Sequence, residues 1–153
     1  MRLSPNEIAY VAQAAGFTGE DLVTAVAVAL AESGGETDAL GYIGSDNHDH
    51  GLWQISNKWH ALTGDGKPGK LLIAGAKWRD PLVNARLAKA VFDETVRMGK
   101  ASGWMAWAVY DNGTGPYTKH LPAARRAVLA PWAPPTTDVD ELATRLKNAT
   151  KES

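Results

Sequence analysis

Two carboxylates, Glu32 and Asp49, are the residues of this chain best placed to do chemistry. Leu22 to Ala31 is a run without charge, apolar at helical spacing, and Ser33-Gly34-Gly35 follows it as a helix stop. Glu32 is then the only ionisable group of the last helical turn, where the negative end of the helix dipole and apolar neighbours both favour its protonated form. That is the environment of a general acid. Asp49 lies in Gly44-Ser45-Asp46-Asn47-His48-Asp49-His50-Gly51, rich in turn formers and polar groups. A hydrated, hydrogen-bonded Asp49 is expected to stay ionised. Two carboxyl groups whose surroundings push their pKa values apart suit glycoside hydrolysis, with a proton supplied on one side of an oxocarbenium-like transition state and negative charge on the other. Taken singly, each also reads as an ordinary helix-end or loop carboxylate.

The elements that must position this pair follow from capping and periodicity. Ser4-Pro5-Asn6-Glu7 is a capping box with proline at the first helical position, and Ile8, Val11, Ala12 and Ala15 give a stripe ending at Gly16. Thr18-Gly19-Glu20-Asp21 opens the helix that carries Glu32. Tyr42-Ile43 and Leu52-Trp53-Gln54-Ile55 read as short strands or strand-like edges. Thr63 to Gly69 reads as an exposed loop. Asp80-Pro81 starts a long helix with Gly99 as its stop; Val83, Leu87, Ala90 and Val91 share one face, and Ala85, Phe92 and Val96 the opposite one, which predicts a central helix. Ser102 to Gly113 holds Trp104 and Trp107, three apart on one helix face. A last helix, Ala123 to Ala130, closes at Pro131.

The motifs carry a resemblance. Ala31-Glu32-Ser33, a spacing of seventeen residues, and Asp49-His50-Gly51-Leu52-Trp53-Gln54-Ile55-Ser56-Asn57-Lys58-Trp59 resemble the catalytic segment of the c-type lysozymes and the related lysozyme-like domains of bacteriophages. The segment is also similar to bacterial lytic transglycosylases, which work without the second carboxylate. The resemblance implies an α+β, mainly α, lysozyme-like fold: a helical lobe, a small β or loop wall, and a cleft between. It implies a retaining muramidase acting on peptidoglycan glycan strands, with Glu32 as acid and Asp49 as nucleophile or ion stabiliser. Gln54, Ser56, Trp59, Trp107 and Tyr110 are the implied substrate-side residues. Ser56 stands where an asparagine is common in the family, and Gln54 reads equally well as a buried structural amide. Trp107 is expected to exclude water from Glu32, whereas Trp104 reads as core. Tyr110-Asp111-Asn112-Gly113 resembles the tyrosine-asparagine turn that lines the transglycosylase cleft. Lytic transglycosylase and non-catalytic wall-binding domain are the competing readings.

Composition bounds the rest. The chain has 153 residues, 44% of them hydrophobic, enough for one well-buried domain. A formal net charge of -1 leaves no basic footprint for nucleic acid and no long-range attraction to anionic surfaces. With no cysteine there is neither a disulfide framework nor a thiolate site. Asp46, His48, Asp49 and His50 lie close together, but no HExxH or cysteine pair accompanies them, and neither a metal nor another cofactor is expected. Leu22 to Ala31 is too short for membrane insertion, and the N-terminus lacks a signal-peptide pattern. The expected setting is synthesis in a host cytoplasm and action on the bacterial wall, in a virion or free. A phage tail or additional lysin domains are the partners consistent with that setting. The expected domain is 1–131, followed by a proline-rich connector, 132–137, and an amphipathic tail helix, 138–153, with Val139, Leu142, Ala143, Leu146 and Ala149 on one side.

Overall fold

The computed structural model describes residues 1–44, 47–56 and 77–130. The connector, the tail, the 63–69 loop and Trp59 lie outside the described residues. Helix α1, Pro5–Ala14, begins as its sequence dictates: the Ser4 hydroxyl accepts from the Glu7 amide, and the Glu7 carboxylate accepts from the Ser4 amide. Helix α2, Gly19–Ser33, has Thr18 as its N-cap residue, without a side-chain cap bond, and ends at Gly34, whose φ of 63° is left-handed. Eight consecutive residues, Leu22 through Ala29, are buried. A helix apolar on every side belongs in the middle of a domain. Helix α1, the last described helix α4, Leu121–Leu129, and the Pro116–His120 3-10 turn all pack around it.

Helix α3, Pro81–Arg97, is capped by Asp80, whose carboxylate accepts from the Leu82 and Val83 amides. Its buried face is Pro81, Asn84, Ala85, Leu87, Ala88 and Val91. This corrects the two-sided reading of the helix. Ala85 shares the core face, Val96 is 50% exposed, and α2 takes the central place instead. Val83 and Ala90, expected on the core face, are only partly buried, because the buried stripe runs through Asn84, Leu87, Ala88 and Val91 at helical spacing.

The sheet is small and antiparallel, in the order β1 (Leu40–Gly44), β2 (Asn47–His50), β3 (Ile55–Ser56). Asp49 pairs with Gly41 on one side and with Ser56 on the other. Leu52-Trp53-Gln54, expected as strand, is instead a buried turn. Gly51 at φ 74° and Gln54 at φ 48° both take left-handed backbone, outside the extended region that regular strand pairing needs. The Trp104 segment is likewise a 3-10 turn, Gly103–Ala106, and not an α-helix. Three residues per turn still bring Trp104 and Trp107 together, with ring centroids 5.3 Å apart. The fold is α+β and mainly helical, a helical lobe with a small sheet beside it.

Candidate active site

Glu32 is placed by the end of α2, and the exit from that helix is fastened to the start of the chain. Leu3 donates its amide to the Gly35 carbonyl at 2.9 Å, and Thr37 donates its amide to the Met1 carbonyl at 2.9 Å. Gly35, at φ 92°, has room only for hydrogen, because a Cβ there would meet the Leu3 carbonyl oxygen at 2.6 Å. Burial raises the Glu32 carboxyl from an ordinary 4.5 to about 7, and the charge of Asp49 adds to the effect. The two carboxyl groups therefore share one electrostatic site.

Asp49 comes from the middle strand. The cross-strand row Gly41, Asp49, Ser56 places the Ser56 hydroxyl against the Asp49 carboxylate, a bond that lowers its proton affinity. His48 acts in the same direction by its charge, yet burial prevails and the Asp49 carboxyl is raised overall. The expectation of a hydrated, hydrogen-bonded loop acid is corrected in its place and its surroundings: Asp49 is half-buried on a strand, where the Ser56 hydrogen bond opposes its protonation and burial favours it. The charge of Asp49 raises Glu32, and the repulsion is mutual: once either carboxyl is charged, ionisation of the other is opposed.

The turn between β2 and β3 is held by polar groups turned inward. Gln54 is buried, and its Nε2 donates to the Gly51 carbonyl at 3.0 Å and to the Ala39 carbonyl at 3.2 Å. Its Oε1 lies over Gly41, where a Cβ would come within 2.6 Å. Trp53 is fully buried and donates Nε1 to the Ala25 carbonyl of α2 at 3.0 Å. Trp107, 3% exposed, donates Nε1 to the Trp53 carbonyl at 2.8 Å. Trp104 is buried, stacks on Phe17 at 5.1 Å and donates Nε1 to Asp21 at 3.2 Å. Tyr110 is partly buried beside Tyr117, ring centroids 5.1 Å apart, at the head of a left-handed turn in which Asp111, Asn112 and Gly113 have φ of 41°, 54° and 89°.

The structure thus brings together Glu32, Asp49 and Ser56. Gln54 and Trp107 spend polar atoms on the protein's own backbone, so the even choice for Gln54 tilts to the structural side. His50 Nδ1 donates to the Ile55 carbonyl at 3.0 Å, burial lowers its pKa, and among the described residues no three His, Asp or Glu side chains are grouped to hold a metal ion. The residue that sequence reasoning passed over is Asn84, 0% exposed on α3 and bonded to the Trp53 amide. Its signal was present: Asn84 stands at i with Leu87, Ala88 and Val91 at i+3, i+4 and i+7, a polar side chain on an apolar stripe.

Comparison with known proteins places the chain in a family. The family described as lysozyme-like domain matches residues 9–109, a span that holds both carboxylates, the β2 to β3 turn, Asn84 and Trp107. No curated protein and no solved structure matches the chain. The chain belongs to the lysozyme-like domain family, a fold that serves the cleavage of glycosidic bonds in peptidoglycan.

Proposed function

We propose that this domain is a muramidase that cleaves the β-1,4 bond between N-acetylmuramic acid and N-acetylglucosamine with retention. The observation that carries the reading is the pair itself: Glu32, raised by burial to about 7, and beside it Asp49, whose charge raises Glu32 further and whose protonation the Ser56 hydroxyl opposes. Glu32 gives its proton to the glycosidic oxygen as the bond to the anomeric carbon breaks. The Asp49 carboxylate attacks that carbon or steadies its positive charge. Glu32, now a carboxylate, takes a proton from water, and the resulting hydroxide displaces Asp49 and restores both groups. Burial of Glu32 keeps its proton available, and the Ser56 hydroxyl opposes protonation of Asp49.

The substrate-side roles divide accordingly. Ser56 acts through Asp49, and Gln54 and Trp107 hold the turn, with the Trp107 indole serving as part of the dry wall near the acid. Tyr110, partly exposed at its left-handed turn, is the sugar contact proposed among the described residues, and Trp59 is a second. The site of action is the bacterial wall.

Mass spectrometry of products from purified peptidoglycan tests the reading. Reducing N-acetylmuramic acid ends are expected, with loss of about 10³-fold or more in Glu32→Gln and in Asp49→Asn. 1,6-Anhydro ends, with Asp49→Asn still active, would assign the domain to the transglycosylases. Binding to insoluble wall without release of any soluble fragment would leave it a wall-binding module.

A further inference from the structure

Asn84 is the one polar side chain among the described residues with no solvent exposure, and its amide is fully committed. Oδ1 accepts from the Trp53 amide at 2.9 Å, while Nδ2 donates to the His50 carbonyl at 2.9 Å and to the Trp78 carbonyl at 3.2 Å. Both N–H groups and the oxygen of the side chain are thereby used. The contact is close enough to dictate a neighbouring residue. A Cβ at Gly51, which sits at φ 74°, would lie 2.3 Å from Asn84 Nδ2. Glycine in the Asp49-His50-Gly51 sequence therefore lets the amide reach the backbone.

What these bonds hold is the short path from Asp49 to Trp53. His50 directly follows Asp49 and ends β2. Trp53 is tied a second time, through Nε1, to Ala25 of α2, the helix that carries Glu32. The turn is thus pinned to α3 by Asn84 and to α2 by Trp53, and these bonds tie the end of the strand bearing Asp49 to the Glu32 helix.

We propose that Asn84 is a positioning residue: its buried amide, by gripping the backbone on both sides of Gly51, fixes the place of Asp49 across from Glu32. This rests on the reading of Glu32 and Asp49 as the working pair. An apolar side chain at position 84 would fill the same core space without holding the turn. Its loss should fall on the chemical step more than on binding, since a displacement of about 1 Å at reacting groups costs about 10²-fold.

The experiment compares wild type, Asn84→Ala, Asp49→Asn and the double variant, with Asn84→Ser in place of Asn84→Ala should the latter fail to fold. Carboxyl NMR gives the titration midpoint of Glu32, calorimetry gives the folded fraction, and soluble un-cross-linked glycan strands give kcat and KM. In Asn84→Ala, kcat per folded molecule is expected to fall about 10²-fold, with KM within about threefold. The Glu32 midpoint is expected to fall. Adding Asn84→Ala to Asp49→Asn should leave the Glu32 midpoint where Asp49→Asn alone puts it. A lower Tm with kcat, KM and the Glu32 midpoint unchanged would reduce Asn84 to a core residue and overturn the proposal. An equal fall of the midpoint in the Asp49→Asn background would overturn it as well. If wild type releases no reducing ends, the muramidase reading fails, and the titration arms still decide whether Asn84 places Asp49.

Discussion

Replacing Glu32 by glutamine is expected to stabilise the protein, and only above a defined pH. Below pH 4.5 the Glu32 carboxyl is protonated in both the folded and the unfolded chain, so the variant differs from wild type by a constant. Between pH 4.5 and about 7 the unfolded chain releases the proton while the folded chain retains it. The folded state then binds more protons, and rising pH favours unfolding. At about 1.4 kcal/mol for each tenfold change in proton affinity, the move from 4.5 to about 7 costs the folded wild type about 3 kcal/mol once Glu32 is ionised. That is a large share of a typical stability of about 5 to 15 kcal/mol. Glutamine keeps the shape and never ionises. Urea unfolding of both proteins from pH 4 to pH 9 should give curves that separate with rising pH and level off above about pH 8, with the variant ahead by about 3 kcal/mol, or about 10 °C in Tm. Asp49→Asn should shrink this gap and leave the larger part of it, because burial outweighs the Asp49 charge at Glu32. A gap that does not change with pH would refute the reasoning, since it would mean that Glu32 ionises in the folded protein as readily as in water.

Two further outcomes follow from the same geometry. Ser56→Ala removes the hydrogen bond that opposes protonation of Asp49, so the acid limb of the kcat/KM profile should move to higher pH while the alkaline limb, set by Glu32, stays near pH 7; an unmoved acid limb would detach Ser56 from Asp49. Gly51→Ala forces a side chain into left-handed backbone and against Asn84 Nδ2, so calorimetry should show a loss of at least about 2 kcal/mol, and a variant as stable as wild type would contradict the close approach.

The parts of the fold legible in the sequence are those decided within a few residues. Ser4 and Glu7 cap α1 by bonds three residues apart, and Gly34 ends α2 by its own conformational freedom. Glu32 was legible for the same reason, as the lone ionisable group of a final turn. The elements misread are those where a distant residue overrules the local pattern. Leu52-Trp53-Gln54 has the composition of a strand, but Asn84 takes the Trp53 amide and Ala25 takes its indole N–H, so the segment turns inward instead of pairing. Trp104 to Tyr110 has helical spacing, yet Trp107 is anchored to the Trp53 carbonyl, 54 residues away, and Gly103 lies so close to the Phe92 ring that a Cβ would come within 2.4 Å. No window along the chain contains both partners of such contacts.

The inequality of the two carboxyl groups arises from where the fold puts them, and it survives their proximity. Glu32 stands near the C-terminal end of a helix buried on every side, where no cation occupies the last turn. Asp49 stands on a strand whose neighbour across the ladder offers a hydroxyl. Burial acts on both, and more deeply on Glu32, which it carries to about 7; the Ser56 bond and the His48 charge act on Asp49 alone, against its burial. Once Asp49 is charged, its repulsion raises Glu32 further, so a modest difference in hydrogen bonding becomes a larger difference in proton affinity. That amplification weakens with distance, which makes the connection between sheet and helix part of the chemistry. Trp53 and Asn84, neither of them an acid or a base, bear on the proton affinity of Glu32 by holding the strand of Asp49 against the α2 core.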